Sequence, residues 1–381
     1  MSGEAILVTG ASGFLGSLVA AEALLESDAT VVLPIRRQHT RESVLAPIAA
    51  ELAAEGRPSR AAVLDRVVTL PLPDSPRIDE LVPALERFDA VDILHCAGSL
   101  SYFNVKKLHE GNLDLTAAFL RLGAAVNVRR FVYLSTTYSS GFTDGPIAER
   151  LHDTSGTDPT DYTRTKREAE WLVAGSGLPW VIVRPSIVIG DSRDGRYAGK
   201  PYGVYQLWTA AVRYLSGSFP PVLHVVAAEK PLNVLHQDAF KRAFWAAYRS
   251  LPDGTVLHVA SDEANLPTMR DLWGLWMYTY GGPREVHLYD TLEQVPADQI
   301  DPQLRLLLDF TSVNNEIASV HWAFELEGLR RLRHGSLRFT DATIETVERV
   351  QQRFVAGSPD AQRFIEGYQA VGQRPTRLIP H

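Results

Sequence analysis

Cysteine is almost missing from this chain: with Cys96 alone among 381 residues, no intrachain disulfide can form, and a reducing compartment fits. Basic residues are not in excess either. The 38 Lys and Arg stand against 45 Asp and Glu, a formal balance of -7 that gives no electrostatic ground for nucleic acid as the main partner. No basic leader precedes a long apolar stretch at the N-terminus, and no apolar run elsewhere is long enough to cross a bilayer. A signal peptide and a membrane span are therefore not expected, and the cytoplasm is the expected location. Internal repeats and long low-complexity linkers are also lacking.

Metal and hydrolase chemistry find little support. No second cysteine or nearby histidine accompanies His95 and Cys96 at metal-ligand spacing, so both read as positions on or just beyond a buried strand, and no metal is expected. His224 and His236 are isolated, and His236 with Asp238 reads as shaping a loop or domain junction. Ser139-Ser140-Gly141 lacks the nucleophile-elbow pattern, which argues against a serine hydrolase.

What is present is an alternation. Short apolar runs at Ala5–Thr9, Thr30–Ile35, Arg66–Leu70, Val91–His95, Arg130–Ser135 and Trp180–Val183 read as strands. Helical patterns near Arg41–Glu55, Asp79–Arg87, Lys106–Ala125 and Tyr162–Ala174, with Phe14–Glu26 before them, alternate with these runs. Nearly continuous apolar strands between amphipathic helices predict a parallel sheet covered on both faces. After Gly190 the pattern changes. Asp191–Pro201 is rich in turn residues, Pro201–Leu215 reads as an aromatic helix, and Phe240–Tyr248 with Thr255–Ala260 return to the sheet. Met269–Tyr280 and much of Ser319–Phe364 look helical. The length exceeds the roughly 250 to 300 residues at which single cores stop growing. Two interwoven parts are expected: residues 1–190 with about 233–262 for a dinucleotide, and about 191–232 with 263–381 as a smaller, mostly helical part for substrate.

Between the first strand and first helix lies Thr9-Gly10-Ala11-Ser12-Gly13-Phe14-Leu15-Gly16. Gly10 can make the tight turn, Gly13 lets a diphosphate approach the backbone, and Gly16 lets the helix pack close to the strand. The helix N-terminus offers unpaired amides and a favourable dipole to phosphates. At the end of the second strand, where a carboxylate would accept the ribose hydroxyls of NAD, the sequence reads Ile35-Arg36-Arg37. Two guanidinium groups there suit a 2'-phosphate, so NADP(H) is the expected cofactor. Further on, Tyr162 and Lys166 are four apart on one helical face, a spacing that can aim a phenol and an ammonium into one cleft. A positive lysine there would favour tyrosinate and bring its pKa of about 10 closer to neutrality.

These motifs, with His95-Cys96-Ala97-Gly98, Tyr-Leu-Ser-Thr-Thr-Tyr at 133–138 and Arg184-Pro185-Ser186-Ile187-Val188-Ile189-Gly190, resemble the extended short-chain dehydrogenases/reductases over roughly residues 4 to 260. The resemblance implies an α/β fold, a Rossmann-type doubly wound parallel sheet. It implies that Tyr162 is the catalytic acid/base and that Lys166 binds the nicotinamide ribose. Thr136, five residues before Gly141, is its hydroxyl companion, with Ser135 as the fallback. Asn112 matches a relay asparagine, although Asp114, Leu115 and Thr116 replace the small residues usual after it. Pro185 and Ser186 are placed beside the nicotinamide, and Ala97 and Gly98 against the adenosine or phosphate side. Homo-oligomerisation is a further expectation of the resemblance.

The chemistry so implied is reduction of a carbonyl held over the cofactor, with Tyr162 giving a proton while Thr136 stabilises the growing oxyanion. Arg184–Arg193, Gly199-Lys200-Pro201-Tyr202 and the aromatic helix after them look most like the fatty acyl and thioester reductase branch. An acyl thioester or aldehyde is thus the first-choice substrate and a ketone the second. Tyr202, Tyr205 and Trp208 are the candidate substrate contacts, in an aromatic cluster with Tyr197, Leu207, Val212, Tyr214 and Phe219 whose other reading is core packing. Sugar epimerisation, and a dinucleotide-responsive regulator without turnover, are the alternatives of other classes.

Overall fold

A computed structural model describes residues 3–56, 60–102, 104–142, 146–153, 158–197, 199, 202–371 and 376–381. Lys200 and Pro201 of the aromatic-helix motif lie outside the described residues. The chain divides into two compact units: Met1–Ser186 with Gln237–Val259 and Phe324–Phe339, and Ile187–His236 with Ala260–Ala323 and Thr340–His381. Phe324–Phe339, expected with the substrate part, thus joins the first unit.

In chain order the strands are β1 (Glu4–Thr9), β2 (Thr30–Ile35), β3 (Val67–Pro71), β4 (Ala90–His95), β5 (Arg130–Leu134), β6 (Trp180–Pro185), β7 (Ile187–Ile189), β8 (Val222–Val226), β9 (Val234–His236), β10 (Thr255–Val259), β11 (Glu285–Tyr289) and β12 (Arg377–Pro380). The first unit holds a seven-stranded sheet in the order β10-β6-β5-β4-β1-β2-β3, with every pairing parallel. Ala5, Ile6, Leu7 and Val8 of β1 are all buried, which is why the strand reads as an unbroken apolar run: side chains on both faces meet helices. On one face Leu7, Ile93, Phe131 and Tyr133 pack with Phe119, Ala169 and Val173. Because β2 lies on one side of β1 and β4 on the other, chain connections diverge at the carboxyl ends of β1 and β4. That divergence opens the crevice where this kind of sheet receives ligands.

Two helices depart from the sequence expectation. Asp79–Arg87 is a 3-10 turn, Ser75–Leu81, followed by a single helical turn, Val82–Leu85; Pro83 removes the amide that a continuous helix would bond to the Asp79 carbonyl. Lys106–Ala125 is interrupted: Val105–Leu108, then a π-helical turn His109–Asp114, then Leu115–Ala125.

The second unit contains a parallel three-stranded sheet, β12-β11-β8, and a parallel pair, β7-β9, beside the helices Tyr205–Leu215, Met269–Tyr280, Pro302–Ala318, Ile344–Ala356 and Pro359–Ala370. Its helices share an apolar core that includes Trp208, Trp276, Val350 and Phe364. No helix among the described residues is long and apolar enough to cross a membrane.

Candidate active site

The glycine-rich turn is built by sterics. Gly10 has φ +72°, and a Cβ there would lie 2.8 Å from the Ala97 amide nitrogen, so β1 and the loop after β4 can close only around a glycine. Gly13 N–H donates to the Gly10 carbonyl at 2.8 Å. A Cβ on Gly16 would overlap that same carbonyl. The helix Phe14–Glu26 begins here with no side-chain cap and no acidic residue in its first turn, and Ser12 and Gly13 are exposed while Phe14 and Leu15 are half-buried. A positive helix end and an open approach together fit a dinucleotide diphosphate.

A hydrogen-bond chain ties this turn to the neighbouring strand. Ala97 N–H donates to Thr9 Oγ1 at 3.0 Å, and Thr9 Oγ1 lies 2.9 Å from His95 Nδ1. His95 Nε2 lies 3.1 Å from Thr116 Oγ1, whose proton goes to the Asn112 carbonyl at 2.7 Å. Since Thr116 spends its proton on Asn112, His95 donates from Nε2 and accepts at Nδ1. Burial, aided by the Lys166 charge, pushes its pKa down to about 3, so the ring stays neutral. His95 is structural, and Thr116 is the residue that makes the chain continuous.

Asn112 sits in the π-helical turn and is fully buried. Its Oδ1 accepts from Ser99 N–H at 2.7 Å, and its Nδ2 donates to Thr165 Oγ1 at 3.0 Å. The side chain therefore clamps the loop after β4 to the helix Asp161–Ala174. That helix starts at a capping box formed by Thr160 and Thr163, which places Tyr162 in the first turn and Lys166 one turn further on.

Lys166 is buried, donates to the Leu134 carbonyl at 2.6 Å and lies 4.1 Å from the centre of the Tyr133 ring. A Cβ on Gly98 would lie 3.0 Å from Asn112 Oδ1 and 4.0 Å from Lys166 Nζ, so the Ala97-Gly98 loop borders both groups. Burial pushes the Lys166 pKa down to about 7, against the upward pull of Glu170. The Tyr162 ring packs edge-on against Tyr102, centroids 5.4 Å apart, and its hydroxyl has no hydrogen-bond partner among the described residues. Burial, and after it Tyr102, holds the phenol above its ordinary range. That direction is opposite to the lowering expected of Lys166, because desolvation disfavours the charged phenolate.

Thr136 begins the short turn Thr137–Ser140 after β5. Its Oγ1 accepts from Tyr138 N–H at 3.4 Å, which leaves its own proton free to donate. Nearby along the carboxyl ends of β5 and β6, the buried hydroxyls of Ser135, Thr137 and Ser186 lack partners among the described residues. Pro185 ends β6 and is buried beside Ser186. A row of unsatisfied hydroxyls is costly unless a ligand completes it. Arg36 and Arg37 are exposed just past β2, and neither forms an ion pair among the described residues.

Sequence reasoning missed Tyr102, whose signal was only its position after the Ala97-Gly98 loop, and Glu170, whose partners come from distant segments.

In the second unit, Tyr205 and Trp208 line one apolar cavity of about 30 Å³ together with Trp273 and Trp276. Trp208 and Trp276 meet at a tilt with centroids 4.0 Å apart, the buried Trp273 indole N–H has no acceptor among the described residues, and Tyr205 Oη accepts from Gly190 N–H at 2.8 Å. Tyr202 is exposed and does not line the cavity.

A search of curated protein sequences finds no match. Among solved structures, the chain is similar to the terminal R domain from the myxalamid PKS-NRPS biosynthetic pathway, with 20% identity, TM-score 0.74, and 94% of this chain and 92% of that one covered. It is also similar to a thiolation-reductase di-domain from an archaeal non-ribosomal peptide synthetase, at 17% identity, TM-score 0.66, and 95% and 76% coverage. A UDP-galactose 4-epimerase matches at 16% identity, TM-score 0.62, and 93% and 99% coverage. The NAD-binding family described as male sterility protein matches residues 8–234, more than half of the chain. The chain belongs to that family, within the extended short-chain dehydrogenases/reductases, and is a nicotinamide-dinucleotide oxidoreductase.

Proposed function

We propose that this protein reduces an acyl thioester or the derived aldehyde with NADPH, using Tyr162 as proton donor, Thr136 as oxyanion donor and Lys166 to hold the nicotinamide ribose. The observation that carries the reading is the half-buried Tyr162, its hydroxyl without a partner among the described residues, one helical turn from Lys166. When bound, the reduced nicotinamide supplies hydride to the carbonyl carbon. As the carbonyl π pair moves onto oxygen, the Thr136 hydroxyl donates to it and Tyr162 transfers its proton, giving a hemithioacetal. The C–S bond then breaks, the thiol leaves with one proton, and an aldehyde remains for a second reduction to an alcohol. A phenol held above its ordinary range stays protonated until the oxyanion forms, which suits the reductive direction.

Support for NADP(H) comes from Arg36 and Arg37, exposed at the end of β2 where no carboxylate awaits a ribose hydroxyl. For a thioester, support comes from similarity to reductase domains, one of them joined to a thiolation domain. The apolar cavity beside Tyr205 and Trp208 is far smaller than the roughly 300–1,000 Å³ of a ligand pocket, so the reading takes no support from these core side chains or from the exposed Tyr202. The test is a product-resolved incubation of the protein with NADPH and acyl-CoAs, matched aldehydes or bulky ketones. Thiol release with aldehyde or alcohol formation is expected. Ketone reduction alone would move the assignment to a ketone reductase, and cofactor binding with no turnover would move it to a regulator.

A further inference from the structure

Glu170 lies four residues beyond Lys166 on the same helix and is completely buried. Its Oε1 accepts from Arg184 Nε at 2.8 Å and its Oε2 from Arg184 Nη2 at 2.5 Å, and Arg184 is equally buried. A buried pair of this kind is poor evidence of added stability, because desolvation offsets most of its attraction. Its second set of contacts is more informative. Ser139 Oγ lies 2.8 Å from Glu170 Oε1 and 2.8 Å from the carbonyl of Thr136. One carboxylate therefore touches the turn that carries Thr136, while the backbone of its own helix carries Tyr162 and Lys166.

The histidines beside this pair are neutral. Arg184 Nη1 is 3.2 Å from His258 Nε2, and His258 Nδ1 is 3.0 Å from the Glu325 carbonyl; an arginine can only donate, so His258 accepts at Nε2, donates from Nδ1 and is neutral. His152 also feels both Glu170 and Arg184, and burial keeps it neutral, with its pKa pushed down to about 4. Around Lys166 the titratable neighbours are Cys96, His95, Tyr133 and Glu170. Burial holds the Cys96 thiol and the Tyr133 phenol protonated and His95 neutral.

We propose that Glu170 is a positioning residue for the reaction, fixing the Thr136 turn through Ser139, with Arg184 holding the carboxylate in place. The inference rests on the roles given above to Thr136, Tyr162 and Lys166. The sign of the pH effect follows from charge: a carboxylate favours the ammonium, so removing it lowers the Lys166 pKa, and activity that needs the ammonium is lost at lower pH.

Glu170→Gln, Ser139→Ala and Tyr162→Phe, made in the full chain and assayed across pH with NADPH and the preferred substrate, test this. Glu170→Gln should move the basic limb of the kcat/KM profile down by about one pH unit. Ser139→Ala should lower kcat roughly tenfold, with the basic limb and the NADPH Kd unmoved. A folded Glu170→Gln whose melting temperature falls but whose pH profile stays put marks a structural ion pair and overturns the inference. If Glu170→Gln does not fold, Ser139→Ala decides, and a wild-type kcat in that variant overturns it. An active Tyr162→Phe would instead sink the underlying reading, while an inactive one leaves any failure with Glu170.

Discussion

Arg36 and Arg37 present two guanidinium groups at the end of β2 with no carboxylate engaging them among the described residues. A charge-assisted hydrogen bond is worth about 1.5–3 kcal/mol, so losing one or two should cost NADPH roughly tenfold to about 10⁴-fold in kcat/KM. The Arg36→Ala, Arg37→Ala double variant should show that loss with NADPH and little change with NADH. Equal efficiency with both cofactors, before and after the substitutions, would remove the basis for NADP(H) preference. Side chains of this sort are legible in sequence because their meaning depends on place along the chain: a basic pair after the second strand, or a tyrosine and lysine one turn apart. Glu170 was not legible, since nothing near it announces that Arg184 and Ser139 arrive from other elements. The direction of the Tyr162 shift is also hidden, because it is set first by burial, which sequence spacing does not report.

At the scale of elements, the turn from β1 into the helix Phe14–Glu26 has no slack. A Cβ on Gly16 would overlap the Gly10 carbonyl, so either the helix moves off the strand or the phosphate-facing turn opens. Overpacking of this kind costs roughly 1–3 kcal/mol. Gly16→Ala should therefore melt at a lower temperature and bind the cofactor more weakly, which thermal unfolding with and without NADPH would register. A wild-type melt together with wild-type affinity would contradict this account of the turn. The strands of the first unit could be read from sequence because each is an apolar run buried on both faces. The interrupted helix around Asn112 could not: its π-helical turn accompanies bonds from Asn112 to Ser99 and Thr165, one of them 53 residues away. In the second unit β7 and β9 are three residues each, too short for any period to show, and β12 pairs with β11 across most of the C-terminal region.

For the whole molecule, the family and the parallel seven-stranded sheet follow from motifs confined to the first half of the chain. The second unit was visible as a change of pattern after Gly190 but not as an architecture. Phe324–Phe339 joined the first unit unannounced, because Ile147 bridges to Phe324 and the Glu149 carboxylate accepts the Gly328 amide, contacts that link positions 177 and 179 residues apart. Such pairings carry no local signature. The central claim, hydride transfer to an acyl thioester with Tyr162 as proton donor, is tested most directly by following a label. Wild-type protein and Tyr162→Phe would each be incubated with NADPH carrying deuterium at the transferable nicotinamide position and with an acyl-CoA. Mass spectrometry would read the carbonyl-derived carbon while free thiol is counted. The account predicts deuterium on that carbon of the aldehyde or alcohol, one thiol released per acyl group reduced, and a rate lower by about 10²–10⁴-fold in Tyr162→Phe. Wild-type turnover in Tyr162→Phe, or thiol release without deuterium in the product, would contradict it.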